Sequence, residues 1–455
     1  MKPYPKYKNS GVEWLGEVPE HWKHKKLSLL ADRTTDFVAS GSFQSLRENV
    51  KYLDEPNFAM LVRTTDLSNR RNVEQVYIDK KSYDFLSNSN LFGGEIILPN
   101  IGSVGDVYIY TPLYAHATLA PNAIMLEMNG SNRYYYYVFQ DKKVNSALSL
   151  IGNEAVQVKF NKTQLRNLVL HAPPLQEQQT IANYLDLETT HIDSLIKEKE
   201  NFISLLKEKR QALISHAVTK GLDPTVKMKD SGVEWLGEVP EHWDVSKLRY
   251  VFSFGKGLTI TKANLQDKGI PCVNYGEIHS KYGFEVDASK HDLKYVDESY
   301  LISDRSSFLS MGDFIFADTS EDLEGAGNFT HVSSQTKLFA GYHTVIARQV
   351  GEQSFRFLAY LIDSETFRTQ IRLAVKGVKV FSITQAILRA SLVWLPKVSE
   401  QQAIANFLDR ETTRIDSLIK EKENSIELLK EHRTALISAA VTGKIDVRNF
   451  EKEVA

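Results

Sequence analysis

Hydrophobic positions along the 455-residue chain follow two different periods. In the stretch that starts at Glu177, residues Leu185, Ile192, Leu195, Phe202, Leu206 and Leu213 recur in steps of three and four, with Glu188, Lys199 and Lys209 filling the other places of the same stripe. In the stretch from Glu400, Leu408, Ile415, Leu418, Leu429 and Leu436 hold the equivalent places. These are heptad a and d sites sustained over about four heptads, the spacing of helices that pair along a seam. Ile196 and Ile203 widen the first stripe, so that helix is expected to bury more than a narrow seam. Ser399 with Gln402 reads as a capping-box start, and Gly221 and Gly443 stand where each helix should stop. A helix of about 42 residues is about 63 Å long at 1.5 Å per residue, too long and too exposed to stand alone. The two are expected to pack on each other antiparallel, as a stiff coiled-coil spacer. Lys199 and Lys422 fall at equivalent a positions, where a lysine either fixes register or carries its ammonium to the edge of the seam; the second is favoured.

Elsewhere the period shortens to that of strands. "GEIILP" (Gly94–Pro99), "DVYIYT" (Asp106–Thr111) and "NAIMLEM" (Asn122–Met128) read as strands, as do "GDFIFAD" (Gly312–Asp318) and "HTVIARQV" (His343–Val350). The glycines of "NIGSVGD" and "EDLEGAGN" mark loops between them.

Both regimes occur twice. "SGVEWLGEVPEHW" runs from Ser10 to Trp22 and again, letter for letter, from Ser231 to Trp243. The helical block beginning "EQQTIANYLD" at Glu177 returns as "EQQAIANFLD" at Glu400. Between the blocks lie two regions that resemble each other only in outline. Long-period duplication of this kind sets the architecture. The expected division is a repeated arm (1–22), a first variable region (23–172), a central helix (173–221), the arm again (222–243), a second variable region (244–395), a C-terminal helix (396–444) and a tail (445–455). The fold class is α+β: two mixed α/β domains separated by two long antiparallel helices, with pseudo-two-fold symmetry. The helical copies tolerate exchanges such as Tyr184 for Phe407, whereas the arms are identical. Strict identity points to a shared docking constraint, which makes Trp14, Trp22, Trp235 and Trp243 candidates for holding a partner or for docking arm to helix. The first arm is expected near Val441–Gly443.

Composition narrows the function. At 42% hydrophobic and 25% charged residues the chain is globular in type, and it has no apolar run long enough to span a membrane. The opening "MKPYPKYKNS" carries no apolar leader, and Cys272 is the single cysteine, so a cytoplasmic protein without internal disulfides is expected. Cys272 reads as a buried, idle thiol. There is no GxxxxGK[ST], no GxGxxG after a strand, no HExxH and no cysteine cluster. His21 and His242 sit in the arm without a second ligand beside them, and no catalytic residue or metal is assigned.

A pair of loop-bearing domains on a rigid, pseudo-symmetric spacer suits a ligand with two half-sites, such as duplex DNA. A net charge of −2 is low for a free-standing DNA-binding protein, so partners are expected to supply part of the positive charge. Candidate base or phosphate contacts are polar loop residues: Arg63, Thr64, Thr65, Asn100, Ser103, Gln157, Lys159 and Asn161 in the first region, and Asn274, Tyr275, Thr319, Ser320, Lys376, Lys379 and Ser382 in the second.

The duplicated "WLGEVPEHW", the paired "PPLQEQQTIANYLD" and "LPKVSEQQAIANFLD", and the repeated "IDSLIKEKEN" ending in "ALIS…AVT" resemble the specificity subunit of type I restriction–modification systems over essentially the whole chain. The resemblance implies that each variable region is a target recognition domain for one half of a bipartite site in double-stranded DNA. It implies that the helices set the half-site spacing and dock two modification subunits, with two restriction subunits in the full complex. It also implies a non-catalytic chain binding no cofactor of its own, with S-adenosylmethionine, ATP and Mg2+ on the partners. The alternative is a scaffold with two protein-binding heads and no DNA.

Overall fold

A computed structural model of the chain describes residues 2–12, 16–68, 74–151, 159–377 and 379–450. The chain folds into two compact units, Met1–Lys199 with Glu423–Ala455, and Glu200–Lys422. Each long helix contributes to both. The central helix spans Leu175–Lys220 and the C-terminal helix Val398–Val441. Among the described residues no helix is long and apolar enough to cross a membrane.

In the first unit the variable region carries two sheets. A four-stranded antiparallel sheet has the order Tyr108–Ile109, Ile96–Pro99, Ala123–Met128, Ala31–Asp36. A five-stranded sheet has the order Tyr52–Leu53, Tyr77–Ile78, Ala59–Val62, Ala117–Leu119, Asn90–Leu91, in which Ala59–Val62 and Ala117–Leu119 run parallel. The second unit repeats the plan. Phe252–Lys256, Thr344–Gln349 and Phe314–Ala317 stand for the first sheet, extended by Phe329–Val332 and Phe284–Val286. The second sheet runs Lys294–Val296, Ile270–Val273, Leu338–Ala340, Phe308–Leu309, again with its central pair parallel. Every strand expected from the short period is present, trimmed by one or two residues at its ends. A two-stranded tie closes each region, Lys23–Lys26 on Val169–Ala172 and Asp244–Lys247 on Leu392–Leu395.

Both units pair the two long helices antiparallel. In the first, Ile181, Ala182 and Leu185 share a core with Ile437, Ala440 and Val441. Arg433 reaches Asp193 across the pair at 3.0 Å. In the second, Ile214, Ala217 and Val218 pack with Ile404, Ala405 and Leu408, and Arg210 reaches Asp416 at 3.0 Å. Leu185, Ile192, Leu206, Leu408 and Ile415 are buried, and Leu195, Leu213, Leu418, Leu429 and Leu436 half-buried.

Two details differ from the periodicity. Phe202 is 44% exposed and Lys209 is exposed, whereas Thr189 and Ile203 are buried and Ile196 and Arg210 half-buried. The inner stripe therefore keeps the a positions and shifts from d toward the residue after it, with Leu195 and Ile196 both half-buried. At Thr189 the cause is a second neighbour: the helix Asn132–Gln140 lies on the same face, and its Tyr137 hydroxyl shares a 3.0 Å hydrogen bond with the Thr189 hydroxyl. A helix packed on two partners buries a broader, shifted stripe than a two-stranded seam. Ser399 is also no cap, because the helix already begins at Val398; Gln402 donates instead to Asn406 at 2.9 Å. The stops are as expected, with Gly221 and Gly443 at φ +77° and +70°, the left-handed conformation that ends helices. Lys199 and Lys422 are half-buried, and the Lys422 ammonium pairs outward with Glu421 at 2.9 Å.

Candidate nucleic-acid interface

The constant frame of each unit is a clamp built from arm and helix. Trp22 is fully buried, and its indole N–H donates to Glu177 Oε1 at 2.9 Å, while His21 Nε2 meets Glu177 Oε2 at 2.8 Å. Trp243 and His242 repeat this on Glu400, at 3.1 and 2.8 Å. The dipeptide "HW" of the arm thus grips the third residue of each long helix, where the partial positive charge of the helix start also favours a carboxylate. The next residue holds the variable region. Gln178 donates to the Pro173 carbonyl at 2.9 Å and accepts from the Ser131 N–H at 3.0 Å; Gln401 does the same with Pro396 and Ser354, both at 2.9 Å. Ser131 and Ser354 cap the helices Asn132–Gln140 and Phe355–Asp363. Lower down those helices, the Tyr137 and Tyr360 hydroxyls donate to Asp186 at 2.9 Å and Asp409 at 2.7 Å. Arg133 and Arg356 pair with the same two carboxylates.

The clamp also receives the end of the opposite helix. The Tyr7 hydroxyl donates to the Gly443 carbonyl at 3.0 Å, and a Cβ at Gly443 would lie 2.4 Å from the Pro19 ring. The first arm therefore packs on Val441–Gly443, as its sequence position implied. Trp235 is half-buried against Trp394; Trp14 lies outside the described residues.

This frame leaves one end of each parallel strand pair, and the turns beside it, to carry variation. In the first unit Arg63 follows Ala59–Val62, with Thr64 and Thr65 in the short helix after it. The Arg63 guanidinium is half-buried and tied to Asp66 at 2.8 and 3.0 Å, which raises its pKa further and neutralises its charge locally. Asn100 follows Ile96–Pro99; its amide donates to the Phe160 carbonyl at 3.0 Å, and its side-chain oxygen is buried without a partner among the described residues. Ser103 and Lys159 are exposed nearby on a bridged loop, Ile101 opposite Lys159. Asn161 is exposed but caps the helix Lys162–Arg166 by accepting from Gln164 N–H at 2.9 Å. Gln157 lies outside the described residues.

In the second unit the equivalent strand ends meet in an open cleft of about 810 Å³ lined by Lys256, Thr319, Tyr342, His343, Ser382 and Gln385, among others. Thr319 and Ser382 face each other on a short strand pair, and Tyr275 stands half-buried beside an adjoining cleft. Asn274 and Ser320 do not present themselves to solvent. Asn274 is fully buried behind the strand end, and Ser320, 4% exposed, folds its own loop by donating to the Asp322 carbonyl at 2.7 Å. Ser320 still lines the adjoining cleft together with Tyr275. Lys376 and Lys379 are exposed on the segment leading to Ser382. Cys272 is buried beneath Asn274, and burial drives its thiol pKa up, the opposite of an activated nucleophile.

A model of the type I restriction modification DNA specificity domain matches residues 19–204 and again 240–428. The chain belongs to this family of specificity subunits. Each match opens within the arm and ends inside a long helix. A Methanocaldococcus jannaschii chain assigned as the MjaX specificity subunit is 24% identical over 449 residues, 95% of this chain and 96% of its own length. The MjaVIII specificity subunit of the same organism is 24% identical over 73% of this chain and 75% of its own. Among solved structures, a chain from one describing complex assembly of the type I R-M system superposes with a TM-score of 0.69 at 11% identity, covering 94% of this chain and 99% of that one. The HsdS subunit from Thermoanaerobacter tengcongensis gives 0.52 at 12% identity, with 94% and 98% covered.

For this specificity subunit, residue type alone had not singled out the clamp side chains Glu177, Gln178, Asp186 and their copies Glu400, Gln401, Asp409. Their signal was present in the repeated "EQQ" and "LD" of the helical blocks. The matching Arg-x-x-x-Tyr of Arg133–Tyr137 and Arg356–Tyr360 was hidden by the divergence around it.

Proposed function

We propose that each unit of this specificity subunit reads one half of a bipartite target in double-stranded DNA, while the paired helices fix the spacing of the half-sites and dock two modification subunits. Two restriction subunits complete the assembly, in the cytoplasm. The chain performs no catalysis: S-adenosylmethionine, ATP and Mg2+ act on the partners. One observation carries the reading. A frame repeated in its central contacts, Trp22–Glu177 and Trp243–Glu400, holds two domains whose equivalent strand ends carry different polar side chains: Asn100 and Lys159 in one, Asp318 and Ser382 in the other. A shared frame with divergent tips is what two different half-sites require.

The test is selection from a random duplex library by the chain together with its modification subunit. A two-part sequence with a constant gap is expected to enrich, and affinity to fall steeply between 50 and 200 mM salt as phosphate contacts release counterions. No enrichment and no salt dependence would leave the scaffold reading in place.

A further inference from the structure

Three described non-glycine residues have a left-handed backbone: Asn122 at φ +73°, Phe284 at +76° and His343 at +55°. Such a conformation is costly for most residues with a Cβ, less so for asparagine and histidine, and glycine adopts it freely. Phe284 is accounted for by packing, since its ring lies 4.9 Å from that of Tyr360 and beneath the Arg356 guanidinium. Asn122 and His343 are both exposed, and His343 makes only partial contacts, to Asp318 and to the edge of Tyr275.

These two occupy the same place in the two units. Each is the residue before the long strand of the first sheet, Ala123–Met128 or Thr344–Gln349. The Asn122 carbonyl accepts from Asn100 N–H at 3.1 Å, and the His343 carbonyl from Asp318 N–H at 3.1 Å. Two residues earlier, Ala120 N–H donates to the Val62 carbonyl at 2.9 Å and Gly341 N–H to the Val273 carbonyl at 2.7 Å. The turn is thus one structure built twice, with different residues at its strained position. The strained backbone aims each side chain out beside the strand ends. His343 lines the cleft of the second unit, with its Nδ1 3.2 Å from Asp318 Oδ1 and its ring 5.3 Å from that of Tyr275.

We propose that Asn122 and His343 are paired specificity-determining residues, each contacting a base edge in the half-site read by its own unit. The inference rests on the DNA-reading function above. An exposed polar side chain kept in both copies at a turn that glycine would fit more easily, beside the divergent strand ends, is what a side chain kept for a ligand leaves behind. Asparagine amides and histidine ring nitrogens both supply the donor and acceptor atoms that read base edges.

The test uses the full chain with its modification subunit and compares the wild type with Asn122→Gly and His343→Gly in the random-duplex selection. Glycine removes the side chain while suiting the backbone, so melting temperatures should hold or rise. For each variant the expected result is a loss of about tenfold or more in base discrimination at one or two positions of a single half-site. The other half-site should be unchanged, and the two variants should affect opposite halves. A wild type that enriches a bipartite site while both variants keep both halves intact overturns this inference and leaves the DNA-reading function standing. Uniform weakening on all sequences would make the residues phosphate contacts and overturn it as well. A wild type that enriches nothing would fail the function itself.

Discussion

The two units use one clamp in two strengths. In the first, Glu177 accepts from Trp22 and also from the Tyr4 hydroxyl at 2.6 Å, and Arg448 of the tail lies over the Tyr4 ring. In the second, position 225, where a counterpart of Tyr4 would fall, is a threonine, and among the described residues Glu400 is held by Trp243 and His242 alone. The cross-strand ties differ in the opposite sense. Trp394 of the second unit donates its indole N–H to the Val218 carbonyl, whereas its counterpart in the first unit is His171, buried against Trp22 and His24 with neither ring nitrogen bonded to any described residue. The contacts of the clamp are fixed, and what lies behind it is free to vary so long as the cavity is filled.

The most severe break is removal of the tryptophans. Trp22→Ala and Trp243→Ala should each cost about 3–5 kcal/mol in the unit that holds the residue, from lost burial and one donor taken from Glu177 or Glu400. Unit-resolved hydrogen exchange checks this, with protection lost on one side only; equal loss in both units would mean the clamp is not local.

Acid should act on both units through different residues. Burial lowers the His171 pKa to about 3 and the His331 pKa to about 4, from an ordinary 6.5. Both histidines are neutral when folded, so the unfolded chain takes up protons first. Stability is full above about pH 6.5 and falls as pH drops toward those folded values, by about 1.4 kcal/mol per pH unit for each histidine. Denaturant midpoints measured from pH 7 to 4.5 should show that slope, and His171→Phe should flatten it in the first unit only.

The smallest effect separates the clamps themselves. Tyr4→Phe should cost about 1 kcal/mol in the first unit by leaving Glu177 one donor short. Glu177→Ala should cost more than Glu400→Ala by a similar margin, read by the same exchange experiment.

Much of this frame was legible because it is local or repeated. The helices, their glycine stops and the strands follow from period and turn chemistry, and the docking of the first arm on Gly443 from the order of identical blocks. The stripe shifts at Thr189 because heptad reasoning assumes one partner and Tyr137 supplies a second there, while Leu195 and Leu418 stay half-buried at d positions. Asn274 and Ser320 read as open loop residues by type; burial, which residue type does not encode, places Asn274 inside and folds Ser320 into its own loop at the cleft wall. Asn122 and His343 were invisible for the complementary reason, since a strained backbone angle leaves no mark in composition.

The arrangement of Glu177 and Gln178, with one side chain facing the arm and the next facing the cap of the recognition-domain helix, works as a standard socket. Any insert that begins after "HW", closes with a strand tie and offers Ser, Arg and Tyr at the spacing of Ser131, Arg133 and Tyr137 meets its mechanical requirements. A lineage carrying this chain can therefore acquire a new recognition domain in one recombination event at either position, without redesigning the machine that receives it.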